Sequence, residues 1–387
     1  MSRSLRPSRL VAVSLAFGVS LPTLAWAEST RDKVLAVTTQ ALKANGAKEV
    51  TWGAIEGDDA RFTVSSTKIV TEAEGKIGTV TVDKTTWVGA AVTPEGGTSA
   101  DEVTAEGFAL ESDDAKVKFD KVVLTKYRGP APAKVVPGKI SGERIEQATV
   151  TGITVTNEDG KTVPIASATF SATDYLGDTP RKAGFDLKGM VLPIDPEDAD
   201  LEPVRSLGYQ KVTLDASFAG TWDDKTGRLD VSALTVGAAD MGTLKVAATI
   251  GGLTPEVIEA LKKADADEGK QMELMQGLTV ETLSVRWDDA SLTGRVLDQQ
   301  AKQQGVDSKT YAKQVKLLMP AMLSMIGNKE FEKKVAGAAG SFLDSPKSLT
   351  VSARPKAPVP FGQLMGAAMM MPQTLPAVLG VEVVAND

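Results

Sequence analysis

A chain of 387 residues with no histidine and no cysteine lacks the commonest general base and the usual ligands of zinc, copper, haem and iron–sulfur centres. Its 43 basic and 50 acidic side chains leave a net charge of −7 and are interspersed, which argues against nucleic acid and against permanent residence on an anionic membrane. No disulfide can form, so stability rests on an ordinary core, which this length permits as one large domain or two.

The N-terminus reads as an export signal. Arg3, Arg6 and Arg9 precede an apolar run from Leu10 to Leu21, Pro22 interrupts it, and Ala25-Trp26-Ala27 forms a small-x-small cleavage site. The run falls short of the ~20 residues that span a bilayer. Residues 1–27 are therefore expected to be cleaved, and loss of their three arginines takes the charge from −7 to −10. With no lipobox cysteine and no adjacent arginine pair, the expected destination is the periplasm, with secretion as the alternative; the mature protein is not expected to be an integral membrane protein.

Glu28 to Asn45 has helical periodicity, with Ser29 and Thr30 as caps, Val34, Leu35, Ala41 and Leu42 on one face and Gly46 as the stop. The period then changes to two. Arg61–Ser65, Thr79–Asp83, Lys116–Asp120, Ala148–Thr151 with Ile153–Val155, and Ala168–Ser171 alternate and are rich in Thr and Val, as suits a half-buried pleated surface. Turn residues separate them at Glu56–Asp59, Pro94–Gly97 and Asn157–Gly160. Two Pro-rich stretches, Gly129–Gly138 and Pro193–Pro203, are domain boundaries or long loops.

Strands resume at Lys211–Trp222, Arg228–Val236 and Thr243–Ile250, with a hairpin turn at Asp223–Gly227. Thr254-Pro255-Glu256 opens a helix with a cap, a proline at the first position and an early acid. Leu278–Trp287 reads as a strand, followed by helices over Leu292–Gln304, Ser308–Ile326 (with Val315, Leu318, Met319, Met322, Leu323 and Ile326 on its apolar face and a kink at Pro320) and Asn328–Leu343. Leu349–Ser352 and Val381–Val383 read as strands around a Met-rich helix, Phe361–Met371.

Motifs for chemistry are sparse. The acidic clusters Asp195–Glu202, Asp223-Asp224 and Asp265–Glu268 lack the spacing of a calcium loop and read as solvated turns. Ser65-Ser66-Thr67-Lys68 and Lys225-Thr226-Gly227 match the S-x-x-K and K-T-G motifs of penicillin-recognising enzymes. That chemistry places the serine on a helix, whereas here it lies in an alternating strand, where residues i and i+3 are expected on opposite faces. Methionine adapts to irregular partners, which makes Met319, Met322, Met325, Met365 and Met369 the candidate ligand or partner surface; the competing reading is that their helices simply cap the β-core.

The segments Leu283–Leu292, Gln300–Gly305, Phe342–Val351 and Pro358-Val359-Pro360 resemble parts of a set of uncharacterised exported proteins of alphaproteobacteria, a resemblance that implies no known activity. In architecture alone, the repeated Thr/Val strands and the run Phe218–Leu253 are similar to the periplasmic parts of AsmA-like envelope proteins, whose β-rich bodies form grooves implicated in lipid handling. That likeness has no diagnostic motif and the chain departs from it in having no transmembrane anchor, so it carries over no functional residue.

Together these readings predict an α+β fold, predominantly an antiparallel β meander forming a groove, with an N-terminal helix and C-terminal helices packed on the sheet. Residues 28–203 are expected to form a helix plus a β-rich region, and 204–387 a meander with a helical region. The expected role is non-enzymatic binding of a lipid or other apolar ligand in cell-envelope maintenance, with no cofactor and no metal. An interaction or assembly component of the envelope, contacting a protein partner through a sheet edge or the Met-rich helix, is the alternative. A carboxylate-based hydrolase comes third.

Overall fold

The computed structural model describes residues 29–73, 76–112, 115–136, 144–264 and 267–387. The expected export signal, part of the first Pro-rich stretch and Asp265 lie outside them. Contacts divide the chain into two units, Met1–Ala172 and Thr173–Asp387.

In the first unit, helix α1 (Thr30–Ala44) starts where Ser29 Oγ accepts the Asp32 N–H at 3.2 Å. It ends before Gly46, whose φ of +104° suits glycine. Strands follow as β1 (Ala47–Thr51), β2 (Ile55–Gly57), β3 (Arg61–Ala73), β4 (Lys76–Val88), β5 (Ala91–Val92), β6 (Thr98–Glu111), β7 (Ala115–Gly129), β8 (Gln147–Asn157) and β9 (Thr162–Leu176). All pair antiparallel, with β3, β4, β6, β7, β8 and β9 forming a meander and β1, β2 and β5 adding short ladders to β3 and β6. Val34, Leu35 and Leu42 of α1 close the core over Phe62, Val64, Ile69, Val80, Val82 and Val103, all 2 % exposed or less. At its centre Trp87 is fully buried, stacked on Phe62 and edge-on to Tyr127, each at 6.0 Å between ring centroids.

These strands do not alternate strictly. The buried residues include Phe62 and Val64, then Thr67 and Ile69, in β3; Val80 and Val82, then Thr85 and Trp87, in β4; and Ala100, then Val103 and Ala105, then Phe108, in β6. Every strand slips by one residue at the same level. The slip line runs from Ser66 to Asp83, Gly107, Asp120 and Gly152, with Ser66, Gly107 and Gly152 in the left-handed region at φ of +55°, +65° and +63°. A Cβ on Gly107 would fall 2.0 Å from Asp83 Oδ2, and one on Gly152 equally close to Asp120 Oδ2. The aspartate of one strand thus occupies the space that only a glycine on the next leaves open. Bulges of this kind bend strands and increase their twist, and a row of them coils the whole sheet.

The second unit contains β10 (Thr179–Pro193), β11 (Lys211–Asp223), β12 (Arg228–Ala238), β13 (Gly242–Gly251), β14 (Thr279–Asp289), β15 (Ser348–Ala353), β16 (Val359–Pro360) and β17 (Val381–Ala385). From β10 to β15 each strand pairs antiparallel with the next, β17 adds to β15, and β16 continues the ladder of β14. Its helices are α2 (Glu202–Ser206), α3 (Pro255–Lys263), α4 (Glu268–Gln276), α5 (Leu292–Gln303), α6 (Ser308–Leu323), α7 (Lys329–Asp344), α8 (Phe361–Met370) and α9 (Leu375–Val378). Local chemistry sets their starts. Thr254 Oγ1 accepts the Val257 N–H, and Asn328 and Glu332 form a reciprocal capping box, Asn328 Oδ1 accepting from Phe331 N at 3.1 Å and Glu332 Oε1 from Asn328 N at 2.9 Å. Helices α5, α6 and α7 stack in succession, and α7 lies against β15 and β17.

The fold is the α+β, mainly antiparallel arrangement that the sequence predicts, with several elements unanticipated, the longest of them β6, β10 and α4. Strand β6 carries Asp101, Glu102, Glu106 and Gly107, β10 opens on Thr179-Pro180 and contains Gly184 and Gly189, and α4 contains Gly269; each reads locally as loop. The expected opposition of Ser65 and Lys68 is also corrected. The left-handed Ser66 between them shifts the phase, so both lie on the outer side of β3 while Val64 and Thr67 are buried. No helix among the described residues is long and apolar enough to cross a membrane.

Candidate functional site: an apolar sheet face

Residues paired in an antiparallel ladder point to the same side of the sheet. In the second unit the register links Phe185, Phe218, Leu234, Val246, Val285, Val351 and Val383 into one row across seven strands. The next row on that face is Leu187, Ala216, Val236, Leu244, Trp287, Leu349 and Ala385. A third runs through Ala183, Gly220, Val231, Ala248, Leu283, Ala353 and Val381. None of these side chains carries a charge. Six inter-strand steps at ~4.8 Å make the strip about 29 Å wide.

An antiparallel sheet normally packs its apolar face against a second layer and leaves only the polar one to water. Here Phe185, Leu234, Val236, Leu244, Leu283 and Val351 remain 37–41 % exposed. Gly242 lets Trp287 lie flat in the strip, since a Cβ there would meet Trp287 Cζ2 at 2.3 Å. Trp287 Nε1 is satisfied at the margin by Asp289 Oδ1 at 3.3 Å.

The charges lie on the other side of the same strands, where Asp186, Ser217, Thr235, Lys245, Arg286 and Thr350 form the matching row. There Lys245 Nζ and Arg286 Nε both approach Asp288 at 2.8 Å, and Arg286 Nη1 reaches Asp387 at 2.7 Å. The Lys245 ammonium, followed by Arg286, holds the Asp288 carboxyl below its ordinary value; the Ser348 hydroxyl and Arg286 do the same for Asp387. Two carboxylates tied up in this way stand as ion-pair partners rather than as a general acid and its base. No group of three or more acidic residues among the described residues is placed to hold a metal ion.

The methionines singled out in the sequence fall on the C-terminal helices. Met319 is half-buried on the inner side of α6, while Met322 and Met325 are 69 and 90 % exposed, and Met365 and Met369 of α8 are 43 and 85 % exposed. Leu318 and Met322, expected on the apolar inner face of α6, point outward instead, because the face that packs on its neighbours is built from Ala312, Val315, Met319 and Leu323. Met272 and Met275 of α4, which packs on α8, add two more half-exposed methionines, in a segment whose Gly269 and acidic start carry no local helix signal. Ser65 and Lys68 sit on a strand with Ser65 Oγ donating to Ala54 O, and Lys225–Gly227 lies in the β11–β12 turn.

Residues 235–386 match the model of a protein family described as "Uncharacterized protein". That interval contains all four segments on which the resemblance to uncharacterised exported proteins rests, and four of the seven strands of the apolar strip, β13, β14, β15 and β17, lie wholly in it. No curated protein matches the chain.

Proposed function

We propose that the protein is a non-enzymatic binder of lipid acyl chains, which lie along the apolar strip of the second unit, in the periplasm or another envelope compartment. The observation that carries this reading is the exposure of the strip: three uncharged rows across seven strands, left open at 37–41 % at six large side chains. At ~25 cal/mol per Å² such a surface is costly in water, and an apolar occupant removes that cost. The strip presents no donor or acceptor inside its rows apart from the Trp287 indole at its margin. Its width exceeds the roughly 15 Å that the chains of one bilayer leaflet span. A chain therefore fits with its head group outside the strip. The architectural likeness to AsmA-like envelope proteins and the N-terminal export signal point the same way.

Native mass spectrometry of the protein purified from its own cells tests the reading. A co-purifying mass in the lipid range is expected, together with its loss from a Leu234→Glu/Leu283→Glu variant that keeps the wild-type circular dichroism spectrum. A ligand-free protein under every gentle condition would overturn it.

A further inference from the structure

The C-terminal helices carry a second apolar area, separate from the strip. Leu317, Leu318 and Met322 of α6 are 80, 60 and 69 % exposed, Met325 in the following turn 90 %, and Met369 and Met370 at the end of α8 are 85 and 81 % exposed. The two runs meet. Asn328 Nδ2 donates to Gln373 O at 3.0 Å, and a Cβ on Gly327 would lie 3.5 Å from Gln373 Cβ. Met325 stands two residues before Gly327, and Met371 two residues before Gln373. Scattered apolar side chains on a surface need no explanation, but a cluster at this exposure marks an interaction site.

Charge says what the partner is. Residues 308–381 hold nine basic side chains and three acidic ones, a local +6 in a chain of net −7, leaving −13 elsewhere. No charged residue at all lies between Lys356 and Glu382, so α8 and the turns after it are uncharged. Nearest this tip are Lys316 on α6, paired with Asp344, and Lys329, Lys333 and Lys334 at the start of α7, where Lys334 pairs with Glu330 and Glu332 also lies. An uncharged apolar tip flanked by lysines matches the boundary of an anionic bilayer, where methionine and leucine enter the head-group region and ammonium groups reach lipid phosphates.

We propose that the C-terminal end of α6, the turn Ser324–Ile326 and the end of α8 form a reversible docking surface for a bilayer rich in anionic lipid. This rests on side chains outside the acyl-chain strip and stands or falls separately from it.

Co-sedimentation of the protein with vesicles of phosphatidylcholine alone, or with about one third phosphatidylglycerol, tests the inference. The protein is expected to pellet with the anionic vesicles only, to be released by roughly half-molar salt, and to lose binding at least about tenfold in Met325→Glu/Met370→Glu. These positions are exposed, so that variant keeps the wild-type melting temperature. Leu234→Glu on the strip is expected to leave vesicle binding unchanged while reducing lipid co-purification, which separates the two readings. Failure of the wild type to pellet with anionic vesicles would overturn the inference, as would undiminished binding of the double variant. A dimer that forms without vesicles and is abolished by the same substitutions would also overturn it, by making the surface a contact between copies.

Discussion

The Asp120 carboxylate occupies the position that a side chain on Gly152 would need: a Cβ there would fall 2.0 Å from Asp120 Oδ2. Gly152 has a φ of +63° and ends a line of left-handed residues and aspartates that crosses five strands. In the second unit Gly189, at φ of +62° and at a register shift between β10 and β11, donates its N–H to Asp215 Oδ1 at 2.8 Å. The pairing converts a local backbone preference into curvature of the sheet.

Gly152→Ala is therefore expected to destabilise the protein by more than the about 1–2 kcal/mol of a left-handed alanine. Gly160 supplies the reference, because its φ is +75° but nothing lies within 4 Å of its would-be Cβ. Urea unfolding should place Gly160→Ala at the backbone cost alone and Gly152→Ala well beyond it. Asp120→Ala in the Gly152→Ala background should recover most of the difference. Equal costs at the two glycines would mean that the aspartate imposes nothing.

The core of the first unit contains hydroxyls without hydrogen-bond partners. Thr85 is fully buried opposite Val64, and its Oγ1 meets no donor or acceptor. Thr85→Val keeps the shape and removes the desolvated hydroxyl, so a gain of about 1 kcal/mol is expected, read as a rise of roughly 2–4 °C in the melting temperature. The reverse change, Val64→Thr, should lower it.

Trp87 bridges Phe62 and Tyr127 at the centre of that core. Trp87→Ala should cost about 3–5 kcal/mol through lost transfer energy and the cavity left behind. The larger part of the loss should return in Trp87→Phe, which keeps an aromatic face for Phe62. Differential scanning calorimetry distinguishes the two variants.

Asp288 sets an acid limit on the second unit. Its folded value lies below the ordinary aspartate value of 3.8, because Lys245 and then Arg286 favour the carboxylate. The unfolded chain therefore takes up the proton first as pH falls. The stabilisation is fully present above the ordinary value and is lost as pH drops through the lower folded one. Asp288→Asn should be less stable than wild type at neutral pH and show a shallower decline in urea midpoint from about pH 5 to about pH 3. The two curves should converge at the acid end; parallel curves would show that Asp288 titrates normally in the folded protein.

Much of the fold was legible because its signals are local. Ser29 and Asp32, Thr254 and Val257, and Asn328 and Phe331 lie three residues apart, so a helix start is visible to anyone reading the sequence. Thr/Val alternation marked most strands, but it marked only parts of them. Strand β6 stayed hidden because its inward residues jump from Ala100 to Val103 and from Ala105 to Phe108, and a period-two reading breaks at both places. The same slip defeated the expectation for Ser65 and Lys68. The candidate site was less legible still, since methionines on a helix look alike whether they face a core or water.

What the sequence by itself determined is the absence of histidine and cysteine chemistry, the antiparallel β character with helices before and after it, and the starts of the capped helices α1, α3 and α7. Those follow from composition and from interactions within a few residues. Only the tertiary structure decided which aspartate meets which glycine across strands, which side of α6 carries Met322 outward, and that the row from Phe185 to Val383 is left half open. Exposure depends on what the rest of the chain places above a side chain. Phe185 and Val383 share a face of the sheet through pairings nearly 200 residues apart, which no local pattern records.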